Sequence, residues 1–184
     1  RTIKGGTGSG DVNSRFVVTV EQGLEEAGLA LTTKAWMDAY DKKVEDARLA
    51  YFMEMKENIA KKGMGAIMDL FNNPFMEPAI DAVDEAVIAD TKADAAVYVV
   101  ARNSGEGKDR APVAGDYELS DSEKESIANL AKAYGNVIVV LNVGGVVDTK
   151  FFRVQEGIGA VLLMSQAGNI GGYALADVLT GKAN

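Results

Sequence analysis

The chain has 184 residues, 47% of them hydrophobic, with 27 acidic against 19 basic side chains, a net charge of −8, and neither cysteine nor histidine. A domain of this length buries roughly two thirds of its unfolded surface, so a sizeable core is expected; without thiols or imidazoles it can hold no zinc finger, disulfide, cysteine nucleophile or Ser-His-Asp triad. The acidic balance argues against a nucleic-acid partner, which needs clustered lysine and arginine, and no apolar run approaches the roughly 18 residues of a membrane span.

The chain opens abruptly with Arg1-Thr2-Ile3-Lys4 and runs into a glycine-rich stretch, GGTGSGD, that reads as a loop. That opening suggests a piece of a longer protein, so the compartment stays open. Phe16, Val17, Val20, Leu24 and Ala27 share one helical face, and with Ser14 as cap and Gly28 as stop they predict a helix over 16–27. A short extended segment, 29–33, precedes the longest helix, 35–62, where Trp36, Tyr40, Val44, Ala47, Tyr51 and Met55 recur at helical spacing. Its many lysines and glutamates form a solvated face. Gly63, Gly65, Asn72, Asn73, Pro74 and Pro78 mark 63–78 as a connection, and a further helix is predicted over 79–92.

From residue 95 the pattern becomes regular. AAVYVVA (95–101), NVIVVLN (136–142) and GAVLLM (159–164) read as strands, while 122–134 and 170–179 read as helices. Ser120 followed by Glu123 is a capping box at the start of the first of these. Apolar runs without alternation suit strands covered on both faces. The predicted fold is therefore one α/β domain over 1–184, a mostly parallel sheet flanked by helices on both faces.

In such sheets ligands bind where strands end at their carboxyl edge. The segment after AAVYVVA reads Arg102-Asn103-Ser104-Gly105-Glu106-Gly107-Lys108-Asp109-Arg110. A glutamate between two glycines can be thrust into a cleft. Read from the residues alone, Glu106 is equally a solvated carboxylate near Lys108 and Arg110, and Asp109 and Arg110 can pair to fix the loop. The glycine-rich loop does not make a phosphate cradle. Asp11-Val12 stands where a P-loop needs lysine and a hydroxyl residue, and an aspartate there repels phosphate.

The blocks SGEGKDR, GDYELSDSEKESI, VIVVLNVGG and GAVLLMSQAGNIGGYALADVLTGK, together with the opening KGGTGSGDVNSR, resemble in the same order the α/β-sandwich domain of glycoside hydrolase family 3, which includes β-glucosidases and β-xylosidases. The stretch 35–90 adds little to the match. The resemblance implies a retaining β-glycosidase acting on terminal β-linked sugars, with a carbohydrate substrate and no cofactor or metal. It implies that Glu106 is the general acid/base, that Asp11 or Asn13 meets substrate hydroxyls beside a sugar subsite, and that the nucleophilic aspartate sits on a separate (β/α)8 barrel of the parent chain. Two carboxyl groups roughly 5–5.5 Å apart, one ionised and one protonated, are what retention requires. The nucleophile's Ser-Asp-Trp-like context is absent, since the single tryptophan lies in Ala35-Trp36-Met37. By itself the chain is thus expected to be inactive. Gly168-Asn169-Ile170-Gly171-Gly172 also departs from members that carry a glutamate before the paired glycines. The competing reading is a non-catalytic α/β module that binds a ligand or serves as a scaffold, because the chain holds no complete catalytic constellation.

Overall fold

The computed structural model describes residues 2–6, 12–63, 65, 73, 75–105 and 109–184. They fall into two compact units, one formed by Arg1–Thr32 with Ala82–Asn184 and the other by Thr33–Asp81.

The first unit is built on three parallel strands in the order β1 (Ala96–Arg102), β2 (Val137–Val143), β3 (Ile158–Leu163). Side chains alternate across a strand, so a central apolar strand serves two cores at once. On one face of β2, Val137, Val139, Leu141 and Val143 pack with Ala96 and Val100 of β1 and with Leu119, Ile127 and Ala131. Ile127 and Ala131 come from α4 (Asp121–Tyr134). On the other face, Val140 packs with Val20 and Leu24 of α1 (Val20–Glu26) and with Leu175 and Ala176 of α6 (Gly171–Leu179). Val100, Ile127, Val137, Val139 and Val140 are wholly shielded from solvent, each contributing about 1.5–3 kcal/mol of apolar burial. This is the α/β sandwich that the apolar runs predict. At β3, register places Val161 beside Val139 and Leu163 beside Leu141, yet both are exposed.

Local signals set the helix ends. Ser120 Oγ accepts the Glu123 N–H and Glu123 Oε2 accepts the Ser120 N–H at 2.8 Å, completing the predicted capping box. Gly28 stops α1 as expected: with φ of 90°, its N–H donates to Glu25 O and the next N–H, of Leu29, donates to Leu24 O. That is the paired bonding of a Schellman end.

Two sequence expectations give way to long-range bonds. The helix predicted over 16–27 starts only at Val20, capped by Thr19 rather than Ser14. Val18 lies outside the helix, donating its N–H to Asn169 O at 2.7 Å and accepting from Gly172 N; Phe16 is exposed. The helix predicted over 79–92 shrinks to α3 (Glu85–Asp90), capped by Asp84. Upstream, Ser126 Oγ takes the Val83 N–H and Asn129 Nδ2 donates to Val83 O, so both backbone groups of Val83 are committed to α4. One short helix, α5 (Lys150–Val154), has no counterpart in the predicted elements.

The second unit is dominated by α2 (Lys34–Lys62). The predicted stripe of Trp36, Tyr40, Val44, Ala47, Tyr51 and Met55 is its less exposed side. The residues that return beside it are tied on: Tyr51 Oη donates to Asn73 O and Tyr40 Oη to Pro78 O, while Arg48 lies over the Phe75 ring and pairs with Glu77. Much of the predicted 63–78 connection lies outside the described residues. Among the described residues no helix is long and apolar enough to cross a membrane.

Candidate active-site edge

Three chain segments converge at the carboxyl edge of the sheet, and buried polar side chains hold them there. Asn142, next to last in β2 and fully buried, interrupts an otherwise apolar strand. Its Oδ1 accepts the Ile3 N–H at 2.5 Å, and its Nδ2 donates to Ile3 O at 2.9 Å and Ser165 O at 2.6 Å. One amide thus binds the opening segment and the turn after β3 to the central strand. A buried polar side chain is tolerated only when its bonds are made, and here they are. Ser165 meanwhile adopts φ of 54°, a left-handed conformation that a residue with a Cβ rarely holds without support.

The described residues on either side of the glycine-rich stretch approach the same edge. Lys4 Nζ donates to Val12 O at 2.6 Å and to Ser14 Oγ, which in turn donates to Asn169 Oδ1 at 2.9 Å. Residues 12–14 therefore lie against the loop before α6, and Asn13 is an exposed residue of that segment. Gln166 Nε2 donates to Gly5 O and to Asn103 Oδ1, joining this cluster to the segment that follows β1. Gly144, at the end of β2, completes the junction: a Cβ there would meet Ser104 Oγ and Gln166 Oε1 head-on. Glu106 and Asp11, the two carboxyl candidates, lie outside the described residues.

Both described ends of the 103–110 loop are anchored through arginines. Arg102, the last residue of β1, makes a two-pronged bridge to Glu123, with Nη1 to Oε1 at 2.7 Å and Nη2 to Oε2 at 2.6 Å. Its Nε donates to Asp116 O. Both side chains are close to nine-tenths buried, where ion pairs escape most solvent screening. The capping-box glutamate thus has a second task, joining strand to helix. Arg110 donates from Nη1 to Asp116 Oδ1 at 2.7 Å and from Nη2 to Asn103 O and Gly144 O. The expected Asp109–Arg110 pair gives way to Arg110–Asp116, because the other oxygen of Asp116 also receives the Ala111 N–H while Asp109 is exposed. The Arg110 guanidinium and that backbone amide hold the Asp116 carboxyl below its ordinary range.

Sequence reasoning passed over Arg102, Glu123 in its second role, Asn142 and Gln166. The available signal was a polar residue closing each apolar run, Arg102 after AVYVVA and Asn142 within VIVVLNV. Such residues stand at the sheet edge where loops must be held. No group of three or more acidic side chains among the described residues is placed to hold a metal ion.

Known proteins resemble this chain in sequence and fold. The family model of the glycosyl hydrolase family 3 C-terminal domain matches residues 1–184. β-Glucosidase A of Butyrivibrio fibrisolvens is 31% identical over 206 residues, covering 99% of this chain and 22% of that protein, and a β-glucosidase of Ruminococcus albus is 30% identical over 98% of this chain and 18% of its own length. The structure of β-glucosidase 3B from Thermotoga neapolitana in complex with glucose superposes with a TM-score of 0.69 at 34% identity, over 98% of this chain and 24% of that one. The chain spans about a fifth of the length of these relatives. With a family model matching from end to end and a structural neighbour of the same architecture, the chain belongs to the glycosyl hydrolase family 3 C-terminal domain family.

Proposed function

We propose that this chain is the acid/base-bearing domain of a retaining β-glucosidase-like glycosidase, with Glu106 as the proton donor. The observation that carries the reading is the anchoring of the Glu106 loop. Its flanking residues Asn103 and Arg110 are bonded to the carboxyl edge of a parallel sheet, where a domain of this architecture presents groups to a ligand. Family membership supports the class of reaction. The substrate is a terminal β-linked sugar, and Asn13 and Asp11 on the neighbouring segment are the side chains we assign to its hydroxyls. The nucleophilic carboxylate comes from a (β/α)8 barrel elsewhere in the parent enzyme.

Cleavage of a glycosidic bond leaves an alkoxide that is a poor leaving group unless protonated. A carboxyl near its partner carboxylate and away from bulk water keeps its proton near neutral pH and can give it up as the bond breaks. It then takes a proton from the water that releases the glycosyl-enzyme. Without the barrel's nucleophile, the chain alone binds sugar at most.

Glu106→Gln in the full-length enzyme tests this. Aryl glucosides with good leaving groups should keep fast glycosylation, alkyl glucosides should slow by about 10²–10⁴-fold, and added azide should speed the second step. Normal cleavage of alkyl glucosides by the variant rules Glu106 out as the acid.

A further inference from the structure

We infer that Arg110 is a positioning residue, one that fixes the loop carrying the proton donor by stapling its two ends to each other and to the end of β2. The inference rests on the reading of Glu106 as acid/base and deepens it. Arg110 follows Glu106 by four residues, and Asn103 precedes it by three. A single guanidinium nitrogen, Nη2, donates to Asn103 O at 2.7 Å and to Gly144 O at 2.5 Å. The loop is thereby closed on itself at its base, and the base is fixed to the central strand. Nη1 reaches Asp116 Oδ1, whose backbone carbonyl is held in turn by Arg102 Nε. An unbroken series of bonds thus runs from the last residue of β1 through Asp116 to Arg110.

Geometry distinguishes this arginine from a generic surface ion pair. Its side chain is only 14% exposed, and a planar fork meets three acceptors that a lysine ammonium cannot match in the same directions. Nε is buried and has no acceptor among the described residues. An orphaned donor detracts from stability, so folding stability alone does not account for this arginine's placement. The two carbonyls it chooses are also informative. Neither belongs to the core, and both sit where the 103–110 loop meets the sheet. A proton donor works only within hydrogen-bond reach of the leaving oxygen, and an error of about 1 Å costs on the order of 10²-fold in rate.

The test uses the full-length enzyme with Arg110→Lys, Asp116→Asn and Glu106→Gln, assayed on a dinitrophenyl β-glucoside and an alkyl β-glucoside, with melting temperature measured alongside. Arg110→Lys should lower kcat/KM for the alkyl glucoside by about 10- to 100-fold while changing the dinitrophenyl substrate by less than about 3-fold. Asp116→Asn, which removes the charge and leaves one oxygen for two donors, Arg110 Nη1 and the Ala111 N–H, should show the same selectivity to a smaller degree, and it carries the test if the lysine variant does not fold. Equal losses on both substrates in the folded variants, or a lowered melting temperature with unchanged selectivity, overturn the positioning role while Glu106→Gln still discriminates between leaving groups. If Glu106→Gln itself fails to discriminate, the acid/base reading falls and this inference falls with it. The two failures therefore have different signatures.

Discussion

Gly172→Ala is a substitution for which helix propensity and tertiary packing predict opposite signs. Gly172 is the second residue of α6, where replacing glycine by alanine ordinarily stabilises by about 1 kcal/mol. Here a Cβ would lie 2.0 Å from Thr19 O and 2.8 Å from Val18 O, and a Cβ on the opposing Gly23 of α1 would likewise lie 2.2 Å from Gly172 O. Side-chain Cβ atoms essentially never come within 3.0 Å of such neighbours, so α1 and α6 must separate by about 1 Å at a contact made of backbone on both sides. Overpacking of this kind costs about 1–3 kcal/mol. The bond from Gly172 N to Val18 O, already 3.2 Å long, would be lost with it, adding about 1 kcal/mol. Set against the propensity gain, the net effect is a destabilisation of about 1–3 kcal/mol, or a fall of roughly 2–12 °C in melting temperature for a protein of this size. Gly171→Ala is the control. Its Cβ would meet Ala167 Cβ at 2.9 Å and the terminal methyl of Met164 at 3.0 Å; the methionine end can swing aside, so its loss should be clearly smaller. Thermal unfolding of both variants beside the parent protein, followed by circular dichroism, decides the matter. A Gly172→Ala protein as stable as the parent or more so would refute the argument that backbone contact, rather than helix propensity, governs this crossing.

Two further predictions probe the buried polar groups. Arg102→Met leaves the Glu123 carboxylate shielded and uncompensated, and should destabilise by about 3–5 kcal/mol; the double variant with Glu123→Gln should be at least as stable as Arg102→Met alone, and additive losses in a denaturant-based double-mutant cycle would show that the bridge is not coupled. Tyr98 has its pKa pushed up from 10.0 to about 12, chiefly by burial. Below pH 10 the hydroxyl is neutral in both folded and unfolded chains, whereas between about pH 10 and 12 only the unfolded chain releases its proton. Stability should therefore fall by about 2–3 kcal/mol across that window as pH rises, and Tyr98→Phe should remove that part of the slope. An identical alkaline profile in the variant would contradict the burial argument.

Much of the architecture is local enough to be read from residue order. The apolar runs place β1, β2 and β3 within one residue of their observed bounds, because strands that pack on both faces are apolar at most positions, although β3 leaves Val161 and Leu163 exposed. The Ser120–Glu123 box and Gly28 mark helix ends because capping depends on neighbours three or four residues away. The family resemblance, carried by motifs in order along the chain, is legible for the same reason and agrees with the family match.

Tertiary structure decided whatever depends on partners far along the chain. Residues 16–19 stay outside the helix because Val18 pairs with Asn169 and Gly172, and 79–84 leave the helix because Ser126 and Asn129 capture the backbone of Val83. Nothing in the order of residues announces that Arg110 prefers Asp116 to its immediate neighbour, or that Asn142 holds Ile3 at a separation of 139 residues. Propensity and periodicity act within a turn or two of backbone, whereas the bonds that assemble the sheet's carboxyl edge form only once the strands and helices are packed.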